Sequence, residues 1–233
     1  MEILALIPAR GGSKGIPRKN LTVIQGKPLI QYTVDEAKKS KLISRIILST
    51  DDIEIANCAK NLGADVPFLR EKYLAEDDTP MLDVIKGTLH RLYEIEDYRP
   101  DIVILLQPTS PLRKASHIDE ALQILLENEA TSVVSVVAVP HQFNPVSLMK
   151  IDGGYLKPYL ESSTQYTRRQ DKPLLYARNG PAILAVKYDT IIAKSSLYGE
   201  KCMAYEMKNM TSVDIDNFHD IEIVNQILQN KIN

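Results

Sequence analysis

A chain of 233 residues with 44% apolar and 25% charged residues is long enough for one well-buried α/β domain, and its composition is neither that of a disordered chain nor of a membrane protein. A formal net charge of −2 excludes a generally basic, nucleic-acid-coating surface, so any strong positive field must be local. Two isolated cysteines, Cys58 and Cys202, exclude a disulfide framework or thiolate metal site; with no charged-then-apolar leader and no apolar run near about 18 residues, a cytoplasmic location without membrane contact is expected.

The first apolar run, residues 3–7, leads into "LIPARGGSKGIPRKN" (6–20), with three glycines, four basic residues and no acid. Glycines let backbone N–H groups close on an anion, while Arg10, Lys14, Arg18 and Lys19 supply charge. Gly11 and Ser13 belong to the same expected cradle. Neither G-x-x-x-x-G-K-[ST] nor G-x-G-x-x-G is present, which argues against a Walker loop and a dinucleotide-binding turn. The plain alternative is a solvated turn carrying scattered bases.

Helical period follows Pro28 over 29–39. A second strand run, 45–49, ends in "STDD", where capping of a helix over 52–61 accounts for at least one aspartate; Gly63 suits the C′ position. Thr79-Pro80 reads as a helix start with Pro80 at the first helical position, leading into 81–94. The strand run 102–106 ends in "LLQPTSPLR". Gln107 follows the strand directly, and two prolines stiffen the turn that carries Thr109 and Ser110. Such uncharged donors suit a sugar or base; the alternative is a stiff turn in which Ser110 or Ser116 caps the next helix, 115–127. A last long run, 132–139, precedes a polar stretch from 141 to 173 that breaks the rhythm and reads as an extension, lid or dimerisation arm.

Near the end, "TSVDIDN" alternates Val213 and Ile215 with Asp214 and Asp216, so a strand would turn both carboxylates to one face. Paired hard oxygen ligands suit Mg²⁺ bridging to substrate phosphates. The alternative is that Asp216 or Asn217 merely caps the final helix. Strand and helix alternate through residue 139, which predicts one α/β domain over 1–233 with a doubly wound, mostly parallel open sheet. Ligands then belong beyond the carboxyl ends of the strands, and a polyphosphate cradle beside a Mg²⁺ pair points to chemistry on a nucleoside triphosphate.

The set "LIPARGGSKGIPRKN", "STDD", "LLQPTSPLR", "RRQ", "NGPAI" and "SVDID", in that order over nearly the whole chain, resembles the acylneuraminate cytidylyltransferases. These are the CMP–sialic acid synthetases and the relatives that activate other nonulosonic acids. The resemblance implies a Rossmann-like nucleotidyltransferase fold, CTP and a small sugar acid as substrates, Mg²⁺ as cofactor, pyrophosphate release and a homodimer. It implies that Arg10, Ser13, Lys14 and Lys19 contact phosphate, and that Asn20, Arg70 and Thr79 hold the cytidine. Gln107 would contact the sugar acid, Asp214 and Asp216 would bind metal, and 141–173 would be the dimerisation arm. Arg169 of that arm would reach a neighbouring active site. At "YARNGPAIL" the extra Pro181 departs from the family pattern and leaves Arg178 without a counterpart, which bears on the identity of the sugar. The rivals are a transferase acting on an octulosonic acid or sugar phosphate, and a nucleotide-binding regulatory protein without turnover.

Overall fold

The computed structural model describes residues 1–160, 166, 168–180 and 182–230. The chain opens with β1 (Ile3–Pro8), a short hairpin of β2 (Val23–Ile24) and β3 (Lys27–Pro28), and α1 (Leu29–Lys39). Next come β4 (Arg45–Ser49), α2 (Ile53–Asn61), α3 (Met81–Glu96), β5 (Ile102–Leu105), α4 (Ala115–Glu127) and β6 (Ser132–Ala138). A second hairpin, β7 (Met149–Asp152) with β8 (Tyr155–Pro158), precedes β9 (Tyr176–Arg178) and β10 (Leu184–Lys187). The chain closes with α5 (Tyr188–Ile192), β11 (Cys202–Glu206) and α6 (Phe218–Gln229).

Among the described residues, seven strands form one sheet in the order β11-β6-β10-β5-β1-β4, with β9 also paired to β6. The strands β4, β1 and β5 are parallel, and β11 is parallel to β6. The expected mostly parallel sheet is found in five strands that run one way, β4, β1, β5, β6 and β11; the two exceptions are β10, antiparallel to both β5 and β6, and β9, antiparallel to β6. The reason is topological. The polar excursion leaves from the carboxyl end of β6 and returns to the same edge, so the chain runs back through the sheet without a crossover helix. In this way β9 and β10 form a single antiparallel passage along β6, interrupted at 179–183.

Helix boundaries follow local chemistry. Asp52 caps α2, accepting from the N–H groups of Glu54 and Ile55 at 2.8 and 3.1 Å, and Gly63 at φ 87° ends it in the left-handed region that favours glycine. Pro80 sits in extended backbone as the N-cap of α3, one position before the place expected for it. The run 213–216 is no sheet strand: 213–215 lie outside regular structure and Asp216 is in a bend, so the expected strand is absent there.

Alternation along β1 divides the core. Ile3, Ala5 and Ile7 pack with Ile30 and Val34 of α1, Ile55 of α2 and Leu122 of α4, whereas Leu4 and Leu6 face Ile85 and Leu89 of α3. A third, smaller core gathers Ile16 of the glycine-rich loop, Leu29, Leu112, Ile215 and Val224 of α6. That cluster is what presses the first loop and the last segment together. Leu6 lies in β1, between β5 and β4, with no exposed surface. Leu6→Ala is expected to lower the unfolding free energy by about 2–5 kcal/mol, read by urea denaturation; a change below about 1 kcal/mol would contradict this account of the core.

Candidate active site

The carboxyl ends of β1 and β5 open into a cavity of about 330 Å³. The loop after β1 supplies Arg10, Gly12, Ser13, Lys19 and Asn20 to its wall, and the turn after β5 supplies Gln107 and Thr109. Arg70, Thr79, Asp214 and Asp216 complete the expected set that meets there. Lys14 is 81% exposed and reaches the site indirectly. Its ammonium lies 2.6 Å from one oxygen of Asp77, whose other oxygen is 2.7 Å from the Arg10 guanidinium. Lys14 and Arg10 together hold the Asp77 carboxyl below its ordinary pKa. Asp77 went unnoticed in the sequence, although the acidic pair before Thr79-Pro80 was visible.

Three expected contributors stand elsewhere. The Gly11 N–H donates to Asp51 Oδ1 at 2.9 Å, so it is committed to tying the loop to the end of β4 and is not free for an anion. A Cβ on Gly11 would also meet the Asp52 side chain at 2.8 Å. Ser110 is buried with its hydroxyl unpartnered among the described residues, and it does not line the cavity. Neither it nor Ser116 caps α4; Glu36 accepts from the Ala115 N–H at 2.9 Å instead. Arg18 also turns away, pairing with Asp52 and Glu54.

Arg70 is buried. It donates to the Ser49 hydroxyl at 3.0 Å and the Ser49 carbonyl at 2.5 Å, and burial pushes its pKa down to about 10. Asn20 braces the loop from within by donating to the Arg10 carbonyl at 2.9 Å, and Thr79 donates to the Tyr73 carbonyl at 3.0 Å.

Residues 213–217 reach the cavity because Ile215 is buried in the third core and its N–H donates to the Thr109 carbonyl at 2.8 Å. Asp214 and Asp216 flank it and both line the cavity. Lys19 donates to the Ile215 carbonyl at 2.7 Å and approaches Asp216 at 3.3 Å. Gly15 lies against the Asp216 carbonyl so closely that a Cβ there would collide with it. Burial raises the pKa of Asp214, with Asp216 adding to the rise and a hydrogen bond from Thr109 opposing it. Asp214 Oδ1 is buried without a hydrogen-bond partner among the described residues. An unpartnered buried carboxylate oxygen beside a second carboxylate fits a hard divalent cation that takes its remaining ligands from substrate and water. Among the described residues no cluster of three or more His, Cys, Asp or Glu is arranged to hold a metal unaided. The two readings of "TSVDIDN" are compatible. Asn217 is the cap, accepting from His219 and Asp220, while Asp220 accepts from the Asp216 and Asn217 N–H groups.

The break between β9 and β10 brings a further loop to the same edge. Ser135 of β6 faces it, donating to Asn179 Oδ1 at 2.7 Å and accepting from the Ile183 N–H at 2.9 Å. Gly180, at φ 55°, abuts Asp214, and a Cβ there would lie 2.5 Å from Asp214 Oδ2. This is the "NGPAI" segment; Pro181 lies outside the described residues. Arg178 points to Tyr198, donating to its hydroxyl at 2.5 Å. Arg169 is exposed in the excursion and does not line the cavity of its own chain. A wider cleft of about 1090 Å³ lies at the opposite end of the sheet, against Met1, Asp101, Lys187 and Tyr188, and carries none of these groups. Among the described residues no helix is long and apolar enough to cross a membrane.

The chain is similar to known proteins along nearly its whole length. A CMP-N,N'-diacetyllegionaminic acid synthase of Legionella pneumophila is 33% identical over 232 residues, covering 98% of this chain and 97% of the relative. An N-acylneuraminate cytidylyltransferase of Streptococcus agalactiae is 33% identical over 225 residues, 94% of this chain, which spans only 52% of that longer relative. The solved structure of a CMP:2-keto-3-deoxy-manno-octonic acid synthetase complexed with CTP superposes with a TM-score of 0.74 over 99% of this chain and 100% of the other, at 19% identity, which shows a shared fold. The family model described as cytidylyltransferase matches residues 4–232, and the chain belongs to that family.

Proposed function

We propose that the protein transfers CMP from CTP to the anomeric hydroxyl of a nonulosonic sugar acid, in a single domain working as a cytoplasmic homodimer with Mg²⁺. The observation that carries the reading is the meeting of a cationic glycine-rich loop, two adjacent carboxylates and a polar βα turn at one cavity. The anomeric oxygen forms a bond to the α-phosphorus as the bond to the bridging oxygen of the β-phosphate breaks. Pyrophosphate leaves, and the hydroxyl proton passes to solvent.

Donor and acceptor are both anionic, so their approach is repulsive unless positive charge is already in place. Arg10, Ser13 and Lys14 serve the triphosphate from one side of the loop. Lys19, held against the Ile215 carbonyl, brings a cation to the junction of loop and carboxylates. Asn20, Arg70 and Thr79 frame the cytidine. Gln107 and Thr109 orient the sugar acid. Asp214 and Asp216 are the ligands for Mg²⁺, which when bound neutralises phosphate charge and acidifies the attacking hydroxyl.

The excursion is the dimerisation arm, with Arg169 directed to the neighbouring subunit. Support comes from its hairpin, where Ile151 and Leu156, paired across the two strands, are 78% and 68% exposed on one face.

Asp214→Ala is expected to keep the fold and lose turnover by on the order of a hundredfold or more, measured as pyrophosphate release at limiting Mg²⁺. Near-normal turnover there would remove Asp214 from the site. Leu156→Asp is expected to convert the dimer to monomer in sedimentation velocity while leaving the far-ultraviolet spectrum unchanged; an unaltered dimer would show that the arm is not the interface.

A further inference from the structure

The last residue of "LLQPTSPLR", Arg113, is 1% exposed. Among the described residues no carboxylate lies within ion-pair distance of it. A buried charge without such a partner is far costlier than a packed apolar chain of similar volume, so packing alone does not explain an arginine there. What it contacts does. One terminal nitrogen, Nη1, donates to the Gln107 carbonyl at 3.1 Å and to the Ala182 carbonyl at 2.6 Å. The other, Nη2, donates to the Thr33 hydroxyl of α1 at 2.7 Å, while Nε is buried without a partner among the described residues.

The three acceptors lie on segments that are distant in sequence, and two of these segments reach the site. The Gln107 carbonyl belongs to the turn that presents Gln107 and Thr109. The Ala182 carbonyl belongs to the loop whose Gly180 abuts Asp214. The planar guanidinium fixes the spacing of these two carbonyls, because both hydrogens on Nη1 lie in one rigid plane. Thr33 anchors that plane to a helix. Burial pushes Arg113 down to about 9, with Glu36 and Asp214 as the charges that counter the shift, so the side chain stays cationic at neutral pH. Arg113 does not itself line the cavity.

We infer that Arg113 is a positioning residue for the acceptor half of the reaction, setting from inside the core the distance between the Gln107 turn and the loop behind Asp214. The inference rests on the proposed role of that turn in holding the sugar acid. The triphosphate half has its own ties, from Gly11 to Asp51 and from Arg10 and Lys14 to Asp77, and none passes through Arg113. Its loss therefore separates the two substrates, which a general loss of stability does not do.

The test is steady-state kinetics of Arg113→Met with CTP and whichever of N-acetylneuraminic or N,N'-diacetyllegionaminic acid the native enzyme uses faster, together with CTP binding by calorimetry without acid. The expected result is a fall in kcat/KM for the acid of about ten- to a hundredfold, with CTP affinity unchanged within about twofold. Equal losses toward both substrates, or none toward either, would overturn the inference. If Arg113→Met does not fold, Thr33→Val decides: it removes the Nη2 acceptor while preserving shape, and a kcat/KM for the acid lowered about threefold with CTP binding intact supports the role, whereas native kinetics overturns it. Gln107→Ala separates the two layers of the argument. If it is impaired while Arg113→Met is normal, Arg113 loses its role and the site reading stands. If Gln107→Ala is itself normal, the site reading falls and the inference goes with it.

Discussion

The site depends on the burial of one side chain, Ile215. It is 1% exposed, packed among Ile16, Leu29, Leu112 and Val224, and its backbone is held at both ends, the N–H by Thr109 and the carbonyl by Lys19. Its two neighbours, Asp214 and Asp216, both line the cavity. Anchoring Ile215 therefore delivers Asp214 and Asp216 to the cavity and draws the glycine-rich loop against them through Ile16. Gly15 makes that approach possible, since any side chain would strike the Asp216 carbonyl. Two like-charged groups are thus held together by apolar packing and by Lys19, an arrangement that a divalent cation relieves.

The positive side of the site is organised in the same economical manner. With a net charge of −2, the chain concentrates its basic loop at one edge of the sheet and restrains it with its own acids. Asp51 and Asp52 fix the loop's backbone and Arg18, while Asp77 links Arg10 to Lys14. The Lys14 pair is solvent-exposed, and exposed pairs contribute little to stability. Under the proposed function a triphosphate with several charged oxygens would displace such a contact, so the bases are held in place without being neutralised for good.

Much of this was legible in the sequence where the signal is local. The apolar runs located β1, β4, β5 and β6, helical period located α1 and α4 to the residue, and the motifs marked the segments that meet at the cavity. The antiparallel direction of β10 was not legible, because direction follows from where the excursion returns and not from composition. The separate fates of neighbours were hidden for a related reason. Thr109 faces the cavity and Ser110 the core, and Gly11 is committed to Asp51, a partner 40 residues away. Arg113 was in plain view as the end of a motif, but its burial depends on Gln107, Ala182 and Thr33 converging. The value of Gly180 likewise appears only when Asp214 is beside it.

The most direct measurement is pyrophosphate release by the purified protein with Mg²⁺ and CTP, against N-acetylneuraminic, deaminated neuraminic, legionaminic, pseudaminic and 3-deoxy-octulosonic acids, with UTP, ATP and GTP in parallel. The account predicts release with CTP and a nonulosonic acid, and little with the other nucleotides. Release driven by another triphosphate, or silence with every acid from a protein that binds CTP, would contradict it.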